Sequence, residues 1–422
     1  MSNLIEELGF EVPEDWEVVK LKEIVELILT GATPLRSNKE YWVGGEVPWL
    51  TNEEVKEDII NYIKDTKEKI TQKAVEETNV KIIPPGSVIV SLTASVGKVA
   101  INLIPITTNQ QFNSFIVKKE KILPQFLAYY FLFMKQKLKI LAGTTTFNFI
   151  SKGRISNFYI ILPPLPEQKR IAEILSTFDK AIERVDEIIT KTERLKKGLM
   201  QRLLTRGIGH TKFKFVEELG FKVPEDWKVV KVSDLFIVET GTTPSTKVAR
   251  YWDGSINWIT PADLSKIDGI EIFDSERKIT DEAVKEYNLT ILPENSIIIS
   301  ARAPVGYVAL VLRPATFNQG CKGLIPRKGK EICSLFYVYY LIFIRKKLQK
   351  LSGGSTFREL SKRTLENLYV PLPPLSEQKK IAEILSTVDK KLELEKRRKE
   401  KLERIKKQMM YDLLTGRRRV KL

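Results

Sequence analysis

Leu162-Pro163-Pro164-Leu165-Pro166-Glu167-Gln168-Lys169 leads into Ile171-Ala172-Glu173-Ile174-Leu175-Ser176-Thr177. The same phrase returns as Leu372-Pro373-Pro374-Leu375-Ser376-Glu377-Gln378-Lys379, ahead of Ile381-Ala382-Glu383-Ile384-Leu385-Ser386-Thr387. The paired prolines stop whatever precedes them, Pro166 suits a first helical position, Ser376 reads as a cap, and Glu167 and Glu377 sit favourably against a helix dipole. A long helix follows in each copy. Apolar residues alternate at steps of four and three along Ile171, Leu175, Phe178, Ile182, Val185 and Ile189, resuming at Leu199 and Leu203. The second copy runs through Ile381, Leu385, Val388 and Leu392, meets Glu395 and Lys399, and recovers at Leu402, Ile405, Met409 and Leu413. That pattern is a coiled-coil seam. About 40 residues at 1.5 Å each give a rod of ~60 Å, too long to bury itself against one small globule, so the two helices are expected to pack on each other.

Outward from the hinge, the rest of the chain is also written twice. Glu7-Leu8-Gly9-Phe10 and Val12-Pro13-Glu14-Asp15-Trp16 recur as Glu218-Leu219-Gly220-Phe221 and Val223-Pro224-Glu225-Asp226-Trp227. Thr30-Gly31-Ala32-Thr33-Pro34 matches Thr240-Gly241-Thr242-Thr243-Pro244, Tyr41-Trp42 matches Tyr251-Trp252, and Asn109-Gln110 matches Asn318-Gln319. One unit of about 210 residues has been duplicated in tandem. In each copy the first ~160 residues carry Gly and Pro turn signals around apolar runs, such as Ser87 to Leu92 and Ser296 to Ser300, that read as buried strands. An amphipathic helix, Phe126 to Leu141 or Leu335 to Leu351, follows and ends at Gly143 or Gly353. The expected fold is therefore mixed α/β: globules over 1–160 and 209–371, each followed by a hinge and rod over 161–208 and 372–422. The two rods are expected to lie antiparallel, with pseudo-two-fold symmetry and a globule at each end.

Composition narrows the function. The 422 residues carry a net charge of +16, with 43% hydrophobic and 29% charged residues, so the chain can bury cores and favours an anionic partner. Residues 166–206 hold ten basic and seven acidic side chains and residues 376–422 sixteen and eight, leaving only about +5 for everything else. Two cysteines and one histidine, His210, are too few for a Cys/His zinc site or a disulfide scaffold. His210, in a Gly-His-Thr linker, reads as a solvated residue. The N-terminus has no secretory pattern, and the longest apolar runs, Phe126 to Met134 and Leu335 to Ile344, are about half of a bilayer span. A cytoplasmic protein without membrane contact is the expectation.

Catalytic signatures are missing. There is no P-loop, no dinucleotide fingerprint, no Asp/Asn-Pro-Pro-aromatic tetrad, no Pro-Cys nucleophile and no Gly-x-Ser-x-Gly elbow. Acid-x-Lys spacings such as Glu54-Val55-Lys56 arise readily in a chain this rich in Lys and Glu and read as solvated charge. Binding residues are better represented. Arg36 and Lys39 follow one Thr-Pro turn, Lys247 and Arg250 the other, and all suit phosphate or base contacts. Asn-Gln is shared by both copies and is more economically a scaffold hydrogen bond. Divergent positions carry more information about readout: Thr93 against Arg302, Lys98 against Tyr307, Gln111 against Gly320, Asn113 against Lys322. Behind the Gly-rich loops 143–147 and 353–357 stand Lys152 and Arg154, and Lys362 and Arg363. Phe147 and Phe357 read as helix-terminus packing. Trp16, Trp42, Trp49, Trp227, Trp252 and Trp258, paired by the repeat, read as core anchors, and Arg417 to Arg419 with Lys421 as a solubilising end.

Taken together, the duplicated Thr-Gly-x-Thr-Pro, Tyr-Trp and Leu-Pro-Pro-Leu-x-Glu-Gln-Lys motifs, each unit closing in a long helix, resemble the specificity (S) subunit of type I restriction–modification enzymes over essentially the whole chain. The resemblance implies that each globule is a target recognition domain for one half of a split, asymmetric site on double-stranded DNA, with the helices as spacer and assembly surface. It also implies a non-catalytic chain without cofactors. Two adenine-N6 methyltransferase subunits using S-adenosylmethionine would dock near the helices, and restriction subunits using ATP and Mg²⁺ can join them. The rival expectation is a duplicated coiled-coil adaptor that never contacts DNA.

Overall fold

The computed structural model describes residues 8–143, 149–353 and 359–421. Six helices matter here: α1 (Pro124–Phe133), α2 (Lys135–Ala142), α3 (Leu165–Arg206), α4 (Ser334–Phe343), α5 (Arg345–Leu351) and α6 (Leu375–Leu414). The chain divides into two compact units, Met1–Asp186 with Arg398–Leu422 and Glu187–Arg397. The division cuts both long helices midway rather than following the hinges, because each core takes residues from both helices.

Unit 1 contains β1 (Glu17–Lys20), β2 (Val25–Thr30), β3 (Val47–Leu50), β4 (Ile60–Ile63), β5 (Glu68–Ile70), β6 (Val88–Ser91), β7 (Val99–Asn102), β8 (Thr107–Thr108), β9 (Phe112–Val117) and β10 (Tyr159–Leu162). A five-stranded sheet runs in the order β2-β9-β6-β7-β4, with only the β7/β4 pair parallel. A three-stranded sheet, β5-β3-β8, stands beside it, and β10 pairs with β1. The apolar run 88–90 of β6 is buried on both faces: Phe115, Phe126 and Phe131 share the core of Val88 and Val90, while Ile89 faces a second cluster with Leu50 and Phe112. Ile171, Ala172 and Leu175 of α3 enter that first core together with Met410, Leu413 and Leu414 of α6.

Unit 2 repeats the plan with β13 (Lys228–Lys231) to β22 (Tyr369–Leu372), which follow a hairpin of β11 (Phe213–Val216) and β12 (Phe221–Pro224). Its five-stranded sheet follows β14 (Phe236–Thr240), β21 (Cys321–Pro326), β18 (Ile297–Ser300), β19 (Val308–Val311) and β16 (Glu271–Ile272), and its smaller sheet β17 (Lys278–Ile279), β15 (Trp252–Ile259) and β20 (Ala315–Phe317). Met200, Leu203 and Leu204 of α3 share this core with Ile381, Ala382 and Leu385 of α6.

Within each unit the two rods run antiparallel. In unit 1 Lys406 Nζ meets Asp179 at 2.5 Å and Lys399 Nζ meets Asp186 at 2.7 Å; in unit 2 Lys196 Nζ meets Asp389 at 2.5 Å. Most seam residues are buried or half-buried. Ile405 is an exception. It faces out, and the buried place beside it belongs to Lys406, whose ammonium also donates to the Asp58 carbonyl at 2.8 Å.

Three local expectations need correction. Ser376 does not cap α6, because the Pro374 carbonyl accepts the Glu377 and Gln378 N–H groups and places Ser376 inside the first turn; Pro166 likewise falls one residue inside α3. The single amphipathic helix expected late in each globule is two helices, broken at Met134 and at Ile344. The first member is buried on nearly all sides and the second along one stripe, and no Pro or Gly marks the change. Among the described residues no helix is long and apolar enough to cross a membrane.

Candidate nucleic-acid interface

The hinge motif is a joint. Gln168 is fully buried: its Oε1 accepts the Leu123 N–H at 2.9 Å, and its Nε2 donates to the carbonyls of Lys121 and Pro163 at 3.0 and 2.8 Å. Gln378 repeats all three bonds with Cys333, Glu331 and Pro373. A buried amide so satisfied fixes the start of the long helix against the loop that opens α1 or α4. Glu167 accepts the Trp16 indole N–H at 3.1 Å, and Glu377 accepts that of Trp227 at 3.0 Å.

Two expectations about charge change here. Arg419, read as part of a solubilising end, donates to both oxygens of Glu167 and both of Asp15, all at 2.8 Å. These bonds from Arg419 hold the Asp15 carboxyl below its ordinary value. His210, read as solvated, is mostly buried, with Nε2 at 2.9 Å from Glu377, Nδ1 at 3.3 Å from Asp226 and its ring edge-on to Trp227. In both cases the partners that bury the charge are distant in sequence, which no local pattern marks.

Above the joint, each unit presents one convergent face. In unit 2, a Cβ on Gly241 would lie 2.3 Å from the Asn318 carbonyl oxygen, so only glycine lets the Thr-Pro turn approach. Asn318 Nδ2 donates to Thr243 Oγ1 at 2.9 Å, Thr243 donates in turn to Gln319 Oε1, and Asn318 Oδ1 accepts the Gly320 N–H at 2.7 Å. The Asn-Gln pair is therefore scaffold, as its sharing between copies implies. The Gly320 carbonyl accepts the N–H groups of Ala301 and Arg302, and the Ala301 carbonyl accepts that of Leu360. Arg302, Lys322, Glu359 and the helix bearing Lys362 and Arg363 are thereby gathered beside the Thr-Pro turn.

Unit 1 uses the same frame. Gly31 packs against Asn109, Thr33 donates to Gln110, Leu92 N–H to the Gln111 carbonyl, and Ile150 N–H to the Leu92 carbonyl. Thr93, Gln111, Asn113, Lys152 and Arg154 come to this face. Asn113 is buried and accepts from Thr30 Oγ1 at 2.7 Å, Gln111 accepts from Asn109, and Arg154 reaches the Leu141 carbonyl at 3.2 Å, whereas Lys152 is exposed. Lys98 is drawn off to the Asn52 carbonyl, and Tyr307 lies under the Arg345 guanidinium at 3.9 Å.

On the other side of each turn stands a tryptophan pair. Trp49 Nε1 donates to the Ala32 carbonyl and Trp258 Nε1 to that of Thr242, both at 3.0 Å, which fits their reading as anchors. Arg36 covers Trp42 at 3.9 Å and pairs with Glu68; Arg277, which the sequence did not single out, covers Trp252 at 3.6 Å. Arg250 is engaged by Glu282 and Glu286, while Lys39 and Lys247 are exposed without an ion-pair partner among the described residues. Phe147 and Phe357 lie outside the described residues. Glu54 of the acid-x-Lys spacing accepts the N–H groups of Thr51 and Lys67, and no metal-ligating cluster occurs among the described residues.

Comparison with known proteins follows this geometry. The family described as type I restriction modification DNA specificity domain matches residues 13–194 and 224–404. The chain is 34% identical to a putative type I restriction enzyme MjaX specificity subunit of Methanocaldococcus jannaschii, over 98% of this chain and 96% of that one. It is 29% identical to the MjaVIII specificity subunit of the same organism, over 100% and 97% of the two chains. The crystal structure of a type I restriction–modification S subunit from M. genitalium shares the fold at 15% identity, with a TM-score of 0.58 over 95% of this chain and 96% of that one.

Proposed function

From the premise that this chain belongs to the type I restriction–modification DNA specificity family, we propose that each unit reads one half of a bipartite, asymmetric DNA site while α3 and α6 set the unread spacer. The observation that carries this reading is the shared frame with divergent surfaces. The Thr-Pro turn and Asn-Gln pair share one frame in both units, Thr33 donating to Gln110 and Thr243 to Gln319, while the residues presented beside them differ, Thr93 and Asn113 against Arg302 and Lys322. Identical readers would require a palindrome; unlike readers call for unlike halves. Rods of 42 and 40 residues, about 60 Å long, suit half-sites one helical turn, ~34 Å, apart. The chain acts as a non-catalytic subunit in the cytoplasm. Two adenine-N6 methyltransferase subunits bring S-adenosylmethionine to the complex, and restriction subunits bring ATP and Mg²⁺ chemistry.

The test is a map of methylated adenines in DNA exposed to the chain with its methyltransferase. Exchanging residues 1–160 or 209–371 for those of a relative is expected to change one half of the motif and leave the other. A motif whose halves change together, or not at all, refutes it. Removing one or two turns from the middle of both rods is expected to alter the number of unread bases. Charge reversal at Lys39, Lys152, Lys247 and Arg363 is expected to abolish methylation of DNA, and full retention would favour an adaptor role without DNA contact.

A further inference from the structure

The two units differ in chemistry at one cluster. In unit 2 Arg302, Lys322 and Glu359 meet: Arg302 Nε donates to Glu359 Oε2 at 2.9 Å, and Lys322 Nζ to Glu359 Oε1 at 3.2 Å. The matching backbone bonds, Ile150 N–H to Leu92 in unit 1 and Leu360 N–H to Ala301 in unit 2, with Asn113 opposite Thr30 as Lys322 is opposite Thr240, identify the equivalent places as Thr93, Asn113 and Phe149. None of those three is charged. The frame is conserved between the repeats while this cluster changes from ionic to neutral, as a reading element would and a scaffold would not.

Burial assigns the roles. The Lys322 side chain is 3% exposed, so its ammonium faces Glu359 and not solvent, and it holds that carboxylate in place. Arg302 and Glu359 are 49% and 36% exposed. Arg302 reaches Glu359 through Nε, which leaves the terminal amino groups Nη1 and Nη2 of the guanidinium available. That edge is the one with which arginine donates to guanine O6 and N7 in the major groove, and a carboxylate accepts from cytosine N4. An Arg–Glu pair already side by side presents the donors and the acceptor that the major-groove edge of one C·G pair calls for, with neither group needing to abandon the other.

We propose that Arg302 and Glu359 read one C·G base pair in the half-site of unit 2, Arg302 taking the guanine and Glu359 the cytosine, with Lys322 as the residue that positions Glu359. The inference rests on the reading of unit 2 as a DNA reader and adds the base pair and the residues.

The experiment uses the full chain with its methyltransferase subunits, and variants Arg302→Gln, Glu359→Gln and the graft Arg302→Thr with Lys322→Asn and Glu359→Phe. Methylated motifs are mapped, and binding of the assembled complex to duplexes altered one base pair at a time is measured in competition. Each variant is expected to lose its requirement for C·G at a single position of one half-site, with discrimination there falling roughly 10–100-fold and every other position unchanged. A motif and competition profile identical to the parent overturns the proposal. So does uniform weakening across all duplexes, which would make Arg302 a phosphate contact. Where methylation is lost altogether, the competition profile decides between these outcomes. The failure of the broader reading is distinct: it would appear as a motif insensitive to exchange of residues 209–371, whereas failure of this proposal alone leaves that exchange effective.

Discussion

Truncation of Asp179 tests whether α3, α6 and the globule of unit 1 are locked together by one buried charge. The Lys406 side chain is 6% exposed and lies 2.5 Å from Asp179, and the Tyr129 hydroxyl donates to the other carboxylate oxygen at 2.7 Å. Burial, then the Asp179 charge, pushes the Tyr129 phenol far above its ordinary range, so it remains a donor. Asp179→Ala leaves a buried ammonium with the Asp58 carbonyl as its one neutral acceptor. Removing one partner of a buried pair costs about 3–5 kcal/mol; Asp179 is itself 19% exposed, and water entering the gap favours the lower end. For a unit of this size ~3 kcal/mol lowers Tm by about 6–12 °C. Lys406→Met removes the charge, keeps the apolar stem and leaves Asp179 bonded to Tyr129 and partly open to water, so its expected cost lies below that of Asp179→Ala. The double variant is therefore expected to be more stable than Asp179→Ala alone, a coupling that calorimetry or urea unfolding reads directly. Additive losses, or a Lys406→Met variant as unstable as Asp179→Ala, would refute the lock.

Other consequences are simpler. Gly416 and Gly207 have φ of +73° and +62°, and a Cβ there would lie 2.3 Å from Pro13 Cγ and 2.4 Å from Glu377 Oε1. Either Gly→Ala change is expected to cost about 1–3 kcal/mol in urea unfolding; a neutral result would contradict the tight closure. Burial raises the Glu359 carboxyl, but hydrogen bonds from Arg302 and Lys322 outweigh it and hold the group below its ordinary value of 4.5. A depressed carboxylate contributes stability above its unfolded value that is lost as pH falls through the folded one. Unfolding of the parent is thus expected to weaken more below about pH 4.5 than that of Glu359→Gln, and equal acid sensitivity would count against the cluster. With only about +5 outside the rods, the isolated chain is expected to bind DNA weakly and with steep salt dependence; tight, salt-insensitive binding would contradict this.

Much of the architecture was legible because duplication repeats every structural signal at a fixed offset. The buried strands, the hinges and the rods follow from apolar runs, prolines and seam spacing. Periodicity names a buried face without naming what covers it, so it did not show that each core draws on both rods. It also missed that Lys406 takes a buried place because its counter-charge, Asp179, comes from the other helix. The divergence of Glu359 from Phe149 also stands in the sequence, at the same offset as the hinge, but beside a Gly-rich loop no periodicity marks it as part of the site.

His210 and Arg419 show why the partition is so hard to read locally. Each lies three residues beyond a positive-φ glycine, Gly207 or Gly416, that ends one of the rods, and each closes a Trp–Glu pair in a different unit. The segment after α3 completes unit 2, where Glu377 begins α6; the segment after α6 completes unit 1, where Glu167 begins α3. The Trp16–Glu167 pair of the first repeat is closed by Arg419 of the second, and each core draws on the other repeat's helix, Met410, Leu413 and Leu414 in unit 1 and Met200, Leu203 and Leu204 in unit 2. Every unit is thus finished by the other repeat's helix. For the proposed DNA reader, closure by two rods instead of one holds each reading face pre-organised, as base readout requires.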